Sequence, residues 1–211
     1  MKLYLTKTPL IIQKNFKNCK WRFFTLEKEI YLTFDDGPTP EITNWTLDIL
    51  KKYNAKATFF CIGKNIVNHP EIYQQIIEAN HAIGNHTHNH FNGWKYSAKA
   101  YIDNVVLCDN IISKEGENSK LFRPPYGKIK KNQAKKLRDL GKKIIMWDVL
   151  SADFDTSISN QKCLENVLKN AINGSIVVFH DSVKAAEKLK YVLPKVLEYY
   201  SEKGFVFKAI S

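Results

Sequence analysis

The chain has 211 residues, of which 44% are hydrophobic, and this is typical of one globular domain with a single sizeable core. Its formal charge of +11 favours contact with an anionic surface or polymer. It lacks an aromatic-interleaved basic repeat, a zinc-finger pattern and an RNA-binding signature, so nucleic acid is not expected as a partner.

The N-terminal segment 1–14 interrupts its apolar residues too often to form a signal-peptide core, and no apolar run is long enough to cross a bilayer. The default expectation is a cytoplasmic protein, with export and cell-envelope association left open. Lysine and arginine concentrate in the first thirty residues and again over 128–143. We predict a basic extension over 1–27, packed on a domain over 28–211.

Apolar and β-branched runs alternate with helical patterns along the chain. Strands are predicted at 30–34, 56–62, 81–86, 121–123, 143–149, 175–179 and 204–210. Helices are predicted from Pro40 to about Tyr53, from Pro70, over 97–114, in a lysine-rich stretch that ends at Leu140, and over 158–171 and 184–202, with a loop at 115–119.

This alternation indicates a parallel α/β sheet that right-handed crossovers close, or nearly close, into a barrel of seven or eight strands. An open doubly wound sheet is the alternative. The barrel is preferred because no glycine-rich phosphate-binding motif follows any strand.

Chemically reactive residues follow the predicted strands, and in a parallel barrel the carboxyl ends of the strands surround one cavity. The clusters are Asp35-Asp36, His86 to His90, Arg123 to Gly127, Trp147 to Asp155, and His180-Asp181. The sequence therefore predicts one active site at this end of the barrel.

Two histidines and a carboxylate form a common set of ligands for a catalytic divalent metal. His86 and His90 are four residues apart, and Asp35-Asp36 ends a neighbouring strand. His88 is a rival ligand, because it would share a face with His86 if the segment stayed extended. We expect metal affinity to fall below about pH 6, as histidine ligands take up protons.

Segments at these five strand ends resemble the ordered motifs of the polysaccharide deacetylases. This family is also called the NodB-homology group and carbohydrate esterase family 4. The segments are Thr33-Phe34-Asp35-Asp36-Gly37-Pro38, Asn85-His86-Thr87-His88-Asn89-His90, Arg123-Pro124-Pro125-Tyr126-Gly127, the segment from Trp147 to Asp153, and Phe179-His180-Asp181. The resemblance covers about residues 28–211 and implies a distorted (β/α) barrel. It also implies metal-dependent removal of N-acetyl groups from the amino sugars of a chitin-like or peptidoglycan-like glycan.

The resemblance implies that Asp36, His86 and His90 bind a divalent metal, usually zinc, with cobalt or another divalent ion as an alternative. It implies that Asp35 is the general base and that His180 is the general acid.

The resemblance also implies supporting roles for other motif residues. Arg123 would orient Asp35, which suits the ability of arginine to form bidentate pairs with carboxylates. Asp153 would pair with His180, and the Tyr126 backbone N–H would bind the oxyanion. Pro124, Tyr126 and Trp147 are expected to contact the substrate.

The fourth motif departs from the family pattern. Leu150 occupies the position of its first aspartate, and Phe154 occupies a position that is often tryptophan. Asp153 is retained, and Asp148 is a candidate substitute for the missing acid. In the fifth motif, Val178 replaces a usual leucine. These departures leave two alternatives to a glycan deacetylase, namely a catalytically weak carbohydrate-binding relative and an enzyme acting on a small non-glycan amide.

Overall fold

The computed structural model describes residues 4–114 and 120–211, so the loop predicted at 115–119 lies outside the described residues. The strands of the described chain are β1 (Cys19–Lys20), β2 (Glu29–Asp35), β3 (Ala57–Cys61), β4 (Ala82–Asn85), β5 (Leu121–Phe122), β6 (Lys143–Ile145), β7 (Val149–Leu150), β8 (Ser175–His180) and β9 (Val206–Phe207). The helices are α1 (Leu10–Asn15), α2 (Ile42–Lys52), α3 (Gly63–Asn68), α4 (Pro70–Glu78), α5 (Ala98–Lys114), α6 (Lys131–Asp139), α7 (Asn160–Leu168) and α8 (Ala186–Glu202).

The strands form one parallel sheet in the order β1-β6-β5-β4-β3-β2-β8-β7, with β9 beside the start of β2. Eight strands curl through 254° with helices around them, which confirms the predicted distorted (β/α) barrel. The open doubly wound alternative is wrong. No helix among the described residues is both long and apolar enough to span a membrane.

The predicted strand at 143–149 is broken in the structure. β6 ends at Ile145, and β7 pairs with β8 at the opposite edge of the sheet. The Met146 N–H donates to the Lys20 carbonyl at 2.7 Å, whereas the Asp148 N–H donates to Ile176 at 3.3 Å. The chain therefore changes partners between these two residues and crosses the open side of the barrel.

Two local predictions also differ from the structure. The helix predicted from Pro40 begins at Ile42, because Glu41 has a left-handed backbone (φ 65°) that cannot belong to a right-handed helix. The helices α1 and α3 were not predicted, because six residues are too few to establish a helical repeat of apolar side chains.

The N-terminal segment joins the two open edges of the sheet. The Leu150 N–H donates to the Thr6 carbonyl at 2.9 Å, and the Thr8 N–H donates to the Asp148 carbonyl at 2.9 Å. Farther along, β1 pairs in parallel with β6. The division at residue 27 stays a prediction.

The central strand β2 is buried along its whole length, as parallel strands covered by helices on both faces require. Its Phe34 ring stacks between those of Phe59 and Phe179 on the neighbouring strands, at centroid distances of 5.0 and 6.0 Å. This aromatic row holds β2, β3 and β8 in register. It therefore determines where the ends of these strands present their polar residues.

Candidate active site

Three strand ends bring the polar residues together. Asp35 is the last residue of β2 and lies opposite His180, the last residue of β8, in the parallel register. Asn85 ends β4, and His86 follows it directly. Neighbouring strands are about 4.8 Å apart, so the side chains that leave these ends meet in one place.

Asp36, His86 and His90 form a cluster that fits a metal ion. Their ligand atoms all lie within 4.8 Å of one another. Asp36 Oδ1 is 3.2 Å from His90 Nε2 and 3.8 Å from His86 Nε2. This oxygen is buried, yet it makes no hydrogen bond within the described chain. Because unpaired buried oxygens are unfavourable, we interpret these three atoms as facing a common cation position.

The protonation state of the two histidines suits metal binding. His86 Nδ1 lies 2.8 Å from the Arg123 carbonyl oxygen, which accepts its proton and leaves the lone pair on Nε2. Burial lowers the pKa of His86 to about 4, and burial also lowers the pKa of His90. Both rings are therefore neutral at pH 7. One carboxylate and two neutral imidazoles form a ligand set that zinc and similar ions accept.

His88 is not part of this cluster, so the alternative ligand is wrong. Thr87 and His90 have left-handed backbones (φ 64° and 54°), which end the extended alternation after β4. The His88 N–H donates to Asn104 Oδ1 at 3.0 Å. Its ring lies against Gly63, where an added β-carbon would approach Nδ1 to 2.7 Å.

Asp35 forms a buried ion pair with Arg123. Arg123 Nη1 donates to Asp35 Oδ1 and to Thr33 Oγ1, both at 2.7 Å. The remaining nitrogens donate to the carbonyls of Ile145 and Met146, so the predicted bidentate pairing is wrong. Burial alone would raise the pKa of Asp35. The charges of Arg123 and of the nearby histidines outweigh it and hold this pKa below its usual value.

His180 is held by Asp153 through two hydrogen bonds. His180 Nδ1 donates to Asp153 Oδ1 at 2.7 Å, and the His180 backbone N–H donates to Oδ2 at 2.7 Å. Burial disfavours the charged imidazolium and by itself would lower the pKa of His180. The charge and hydrogen bond of Asp153 outweigh this effect and raise the pKa to about 10. The Phe154 ring packs edge-on against His180, with centroids 5.2 Å apart. An aromatic cover over His180 is therefore retained despite the altered fourth motif.

Asp148 does not replace the missing acid of that motif. It accepts hydrogen bonds from Ser175 Oγ and the Ile176 N–H, each at 2.9 Å, and forms an ion pair with Lys7 at 2.9 Å. Those partners lie at the beginning of β8, whereas His180 is at its end. Five residues of strand separate them by about 16 Å. The expectation is wrong because Asp148 joins the N-terminal segment to the barrel.

The three residues expected to contact substrate differ in exposure. Tyr126 is 60% exposed and has a left-handed backbone (φ 60°, ψ 9°), and its ring centroid is 4.6 Å from that of His90. Trp147 is half-buried beneath Gly127, and Pro124 is buried. Of these three residues, Tyr126 is therefore the most exposed.

Three residues without a predicted role support the metal cluster. Asp181 accepts hydrogen bonds from the Gly37 N–H at 3.0 Å and from Thr43 Oγ1 at 2.5 Å. Asn65 donates to the Asp36 carbonyl at 2.7 Å. The sequence could have indicated Asp181, because it directly follows His180. Thr43 and Asn65 lie in ordinary helical patterns and could not have been recognised from the sequence.

The fold and the site together define a (β/α) barrel with an Asp-His-His cluster beside the buried pairs Asp35–Arg123 and His180–Asp153 at the carboxyl ends of its strands. The family model "Polysaccharide deacetylase" matches residues 25–145. A peptidoglycan-N-acetylglucosamine deacetylase of Bacillus cereus is 38% identical over 155 residues, which cover 73% of this chain and 56% of that protein. The chain belongs to the polysaccharide deacetylase family, carbohydrate esterase family 4.

Solved structures agree with this assignment. The crystal structure of the Bc1960 peptidoglycan N-acetylglucosamine deacetylase matches with a TM-score of 0.88 and 32% identity, over 96% of this chain and 95% of that one. A CE4 family pseudoenzyme from Bacillus anthracis matches with a TM-score of 0.81 and 26% identity, over 90% of this chain and 66% of that one. The family thus includes members described as enzymes and one described as a pseudoenzyme.

Proposed function

We propose that this protein hydrolyses the N-acetyl groups of amino sugars in a glycan, with N-acetylglucosamine of a peptidoglycan-type polymer as the substrate. The observation that carries the proposal is the Asp36-His86-His90 cluster, which lies beside the buried pairs Asp35–Arg123 and His180–Asp153. The named relatives support the substrate class.

Asp36, His86 and His90 would hold a divalent cation, with zinc as the first choice and cobalt or another divalent ion as the alternative. A bound cation of this kind polarises an amide carbonyl and lowers the pKa of a water molecule. The neutral state of the two imidazoles and the unpaired Asp36 Oδ1 fit the binding of such a cation.

Asp35 is the general base. Its Oδ1 is occupied by Arg123, whereas Oδ2 lies 3.9 Å from His86 Nε2 and faces the cluster. Asp35 Oδ2 takes a proton from the attacking water as the water oxygen bonds to the amide carbon. The low pKa of Asp35 keeps the carboxylate ionised at neutral pH.

His180 is the general acid. Asp153 holds its Nδ1–H, which leaves Nε2 to donate a proton to the amine nitrogen as the C–N bond breaks. The Tyr126 N–H donates to the carbonyl oxygen as negative charge develops there. The products are acetate and a free amino sugar.

A catalytically weak carbohydrate-binding protein is the second candidate. Leu150 at an aspartate position and the pseudoenzyme relative favour it. An enzyme that acts on a small non-glycan amide is a third, and it would use the same residues on a different substrate.

Acetate release from N-acetylglucosamine oligomers and peptidoglycan fragments, with zinc added or chelated, tests the proposal. We expect zinc-dependent release that falls at least about 100-fold in Asp35→Asn, the lower limit for loss of a general base. The control Asp103→Asn changes an exposed carboxylate whose ion-pair partner among the described residues is Lys99, and it should match the wild type. Glycan binding without release at full metal loading would favour the binding protein, and release only from small amides would favour the third candidate.

A further inference from the structure

The two basic segments of the sequence line a single cavity of about 880 Å³, which we call the basic cavity. The cations that line it come from the N-terminal segment and from the region of α6 and β6: Lys14, Lys17, Lys20, Arg22, Arg138 and Lys143. No aspartate or glutamate is among the described residues that line it. Residues that are more than a hundred positions apart in the sequence thus create one positive surface.

The wall of the basic cavity includes the beginning of β6 and lies beside the beginning of β8, whereas the candidate active site lies where β2 and β8 end. Lys143, in its wall, is the first residue of β6. Phe23, also in its wall, donates its N–H to the Gly174 carbonyl at 2.8 Å, just before β8 begins. The acid–base residues lie where the strands end. A ligand in the basic cavity would therefore leave the active site accessible.

Apolar side chains line both the floor and the rim of the basic cavity. Ile144, Ile145 and Ile210 are buried in its floor. Phe24 and Leu10 also line it, and they are 86% and 59% exposed. Exposure of such large apolar side chains to water is unfavourable, and their concentration beside cations is typical of a binding surface.

Cations and aromatic rings alternate along this wall. Lys20 Nζ lies 5.0 Å from the Phe23 ring centroid, and the Arg22 guanidinium lies 5.3 Å from that of Phe24. Arg22 Nε is buried and has no hydrogen-bond partner in the described structure. The wall therefore combines apolar contact area with cations that lie beside aromatic rings.

We propose that the basic cavity and its rim bind the surface of a bilayer that contains anionic phospholipid. Phe24 and Leu10 enter the region of the acyl chains nearest to the headgroups, and the lysines and arginines contact the phosphates. A soluble polyanion would use the cations but would leave both apolar side chains in water, which is why we favour the lipid. The inference does not depend on the proposed function.

Cosedimentation with vesicles of phosphatidylcholine, with and without phosphatidylglycerol, tests this inference. We expect binding only when phosphatidylglycerol is present. The variant Lys14→Glu/Lys17→Glu should weaken binding at least tenfold, since each cation near such a surface contributes about fivefold. Phe24→Ser should weaken it about tenfold through the loss of apolar burial. The matched control Lys51→Glu/Lys52→Glu makes the same charge change on exposed α2 lysines outside the basic cavity and should bind like the wild type.

Three results would overturn the inference. Equal weakening by the α2 control would mean that net charge alone explains the binding. Absence of binding to phosphatidylglycerol vesicles by the folded wild type would exclude the lipid. Binding of soluble polyphosphate, weakened by the Lys14 and Lys17 changes but without vesicle binding, would assign the cavity to a soluble polyanion. Thermal unfolding of each variant verifies that it is folded, and the lysine variant keeps the test valid if Phe24→Ser is unstable.

Discussion

The carboxylate of Asp181 occupies the space that a side chain on Gly37 would need. An added β-carbon on Gly37 would lie 2.0 Å from Asp181 Oδ2, and the Gly37 N–H donates to Oδ1 at 3.0 Å. Gly37 directly follows the candidate metal ligand Asp36, which has a left-handed backbone (φ 85°). Asp181 is therefore a positioning residue that holds the end of the β2 loop.

Gly37→Ala should lower zinc affinity at least about tenfold, the effect usual for a residue that orients a metal ligand. The clash with Asp181 displaces the loop, although no ligand is changed. Competition with a coloured chelator measures the affinity. Gly141→Ala is the control, because nothing lies within 4 Å of its added β-carbon and only its φ of 78° is strained. That variant should lose about 1 kcal/mol of stability and no zinc affinity. Equal zinc affinity in the two variants would contradict the role of Asp181.

Arg123→Lys should lower both stability and activity. Lysine cannot reproduce the four hydrogen bonds of the buried guanidinium, and the loss of two of them would reduce the free energy of unfolding by about 3 kcal/mol. Lysine keeps the positive charge but loses the guanidinium hydrogen bond to Asp35 Oδ1, which also lowers the pKa of Asp35, so that pKa should rise. The acidic limb of the kcat/KM profile then moves to higher pH. Arg138→Lys, on the half-buried end of α6, is the control. An unmoved acidic limb in Arg123→Lys would show that the guanidinium hydrogen bond does not set the pKa of Asp35.

Asp153→Asn should change how stability depends on pH in the metal-free protein. The folded pKa of His180 is raised from 6.5 to about 10, so its pairing with Asp153 stabilises fully below the ordinary value and is lost as pH rises through about 10. The stability difference between wild type and variant should therefore be largest near about pH 6 and narrow toward about pH 10. Urea unfolding across this range measures it. A constant difference would mean that the pair contributes only a neutral hydrogen bond.

The loss of zinc affinity on acidification should be complete only as the pH approaches the His86 pKa of about 4. Burial lowers the pKa of His90 as well, so the loss should occur at lower pH than the value of about 6 that the sequence suggested. Chelator competition at stepped pH values provides the measurement. His86→Ala should abolish tight binding, whereas His88→Ala should leave it unchanged. A steep fall near pH 6 would mean that the ligands are more exposed than they are in this structure.

Much of the fold was predictable because it depends on local patterns. A run of β-branched and aromatic residues followed by acids predicts a buried strand with polar residues at its end, and β2 has this form. Parallel strands place such ends together, so the convergence of Asp35, His86 and His180 needed only the order of the elements. The choice of Asp36, His86 and His90 as the metal ligands came from the family resemblance, and it stays a prediction.

What the sequence by itself determined was the alternation of strands and helices that builds the barrel and the set of polar residues at the strand ends. Only the tertiary structure decided the partners of individual side chains. Asp148 and Asp153 are five residues apart, yet one contacts the N-terminal segment and the other His180, because β7 runs parallel to β8 between them and places Asp148 beside the beginning of β8 and Asp153 beside its end. Likewise, left-handed residues such as Thr87 set the direction of the neighbouring histidines. These outcomes depend on packing between segments that are distant in sequence, which no local pattern contains.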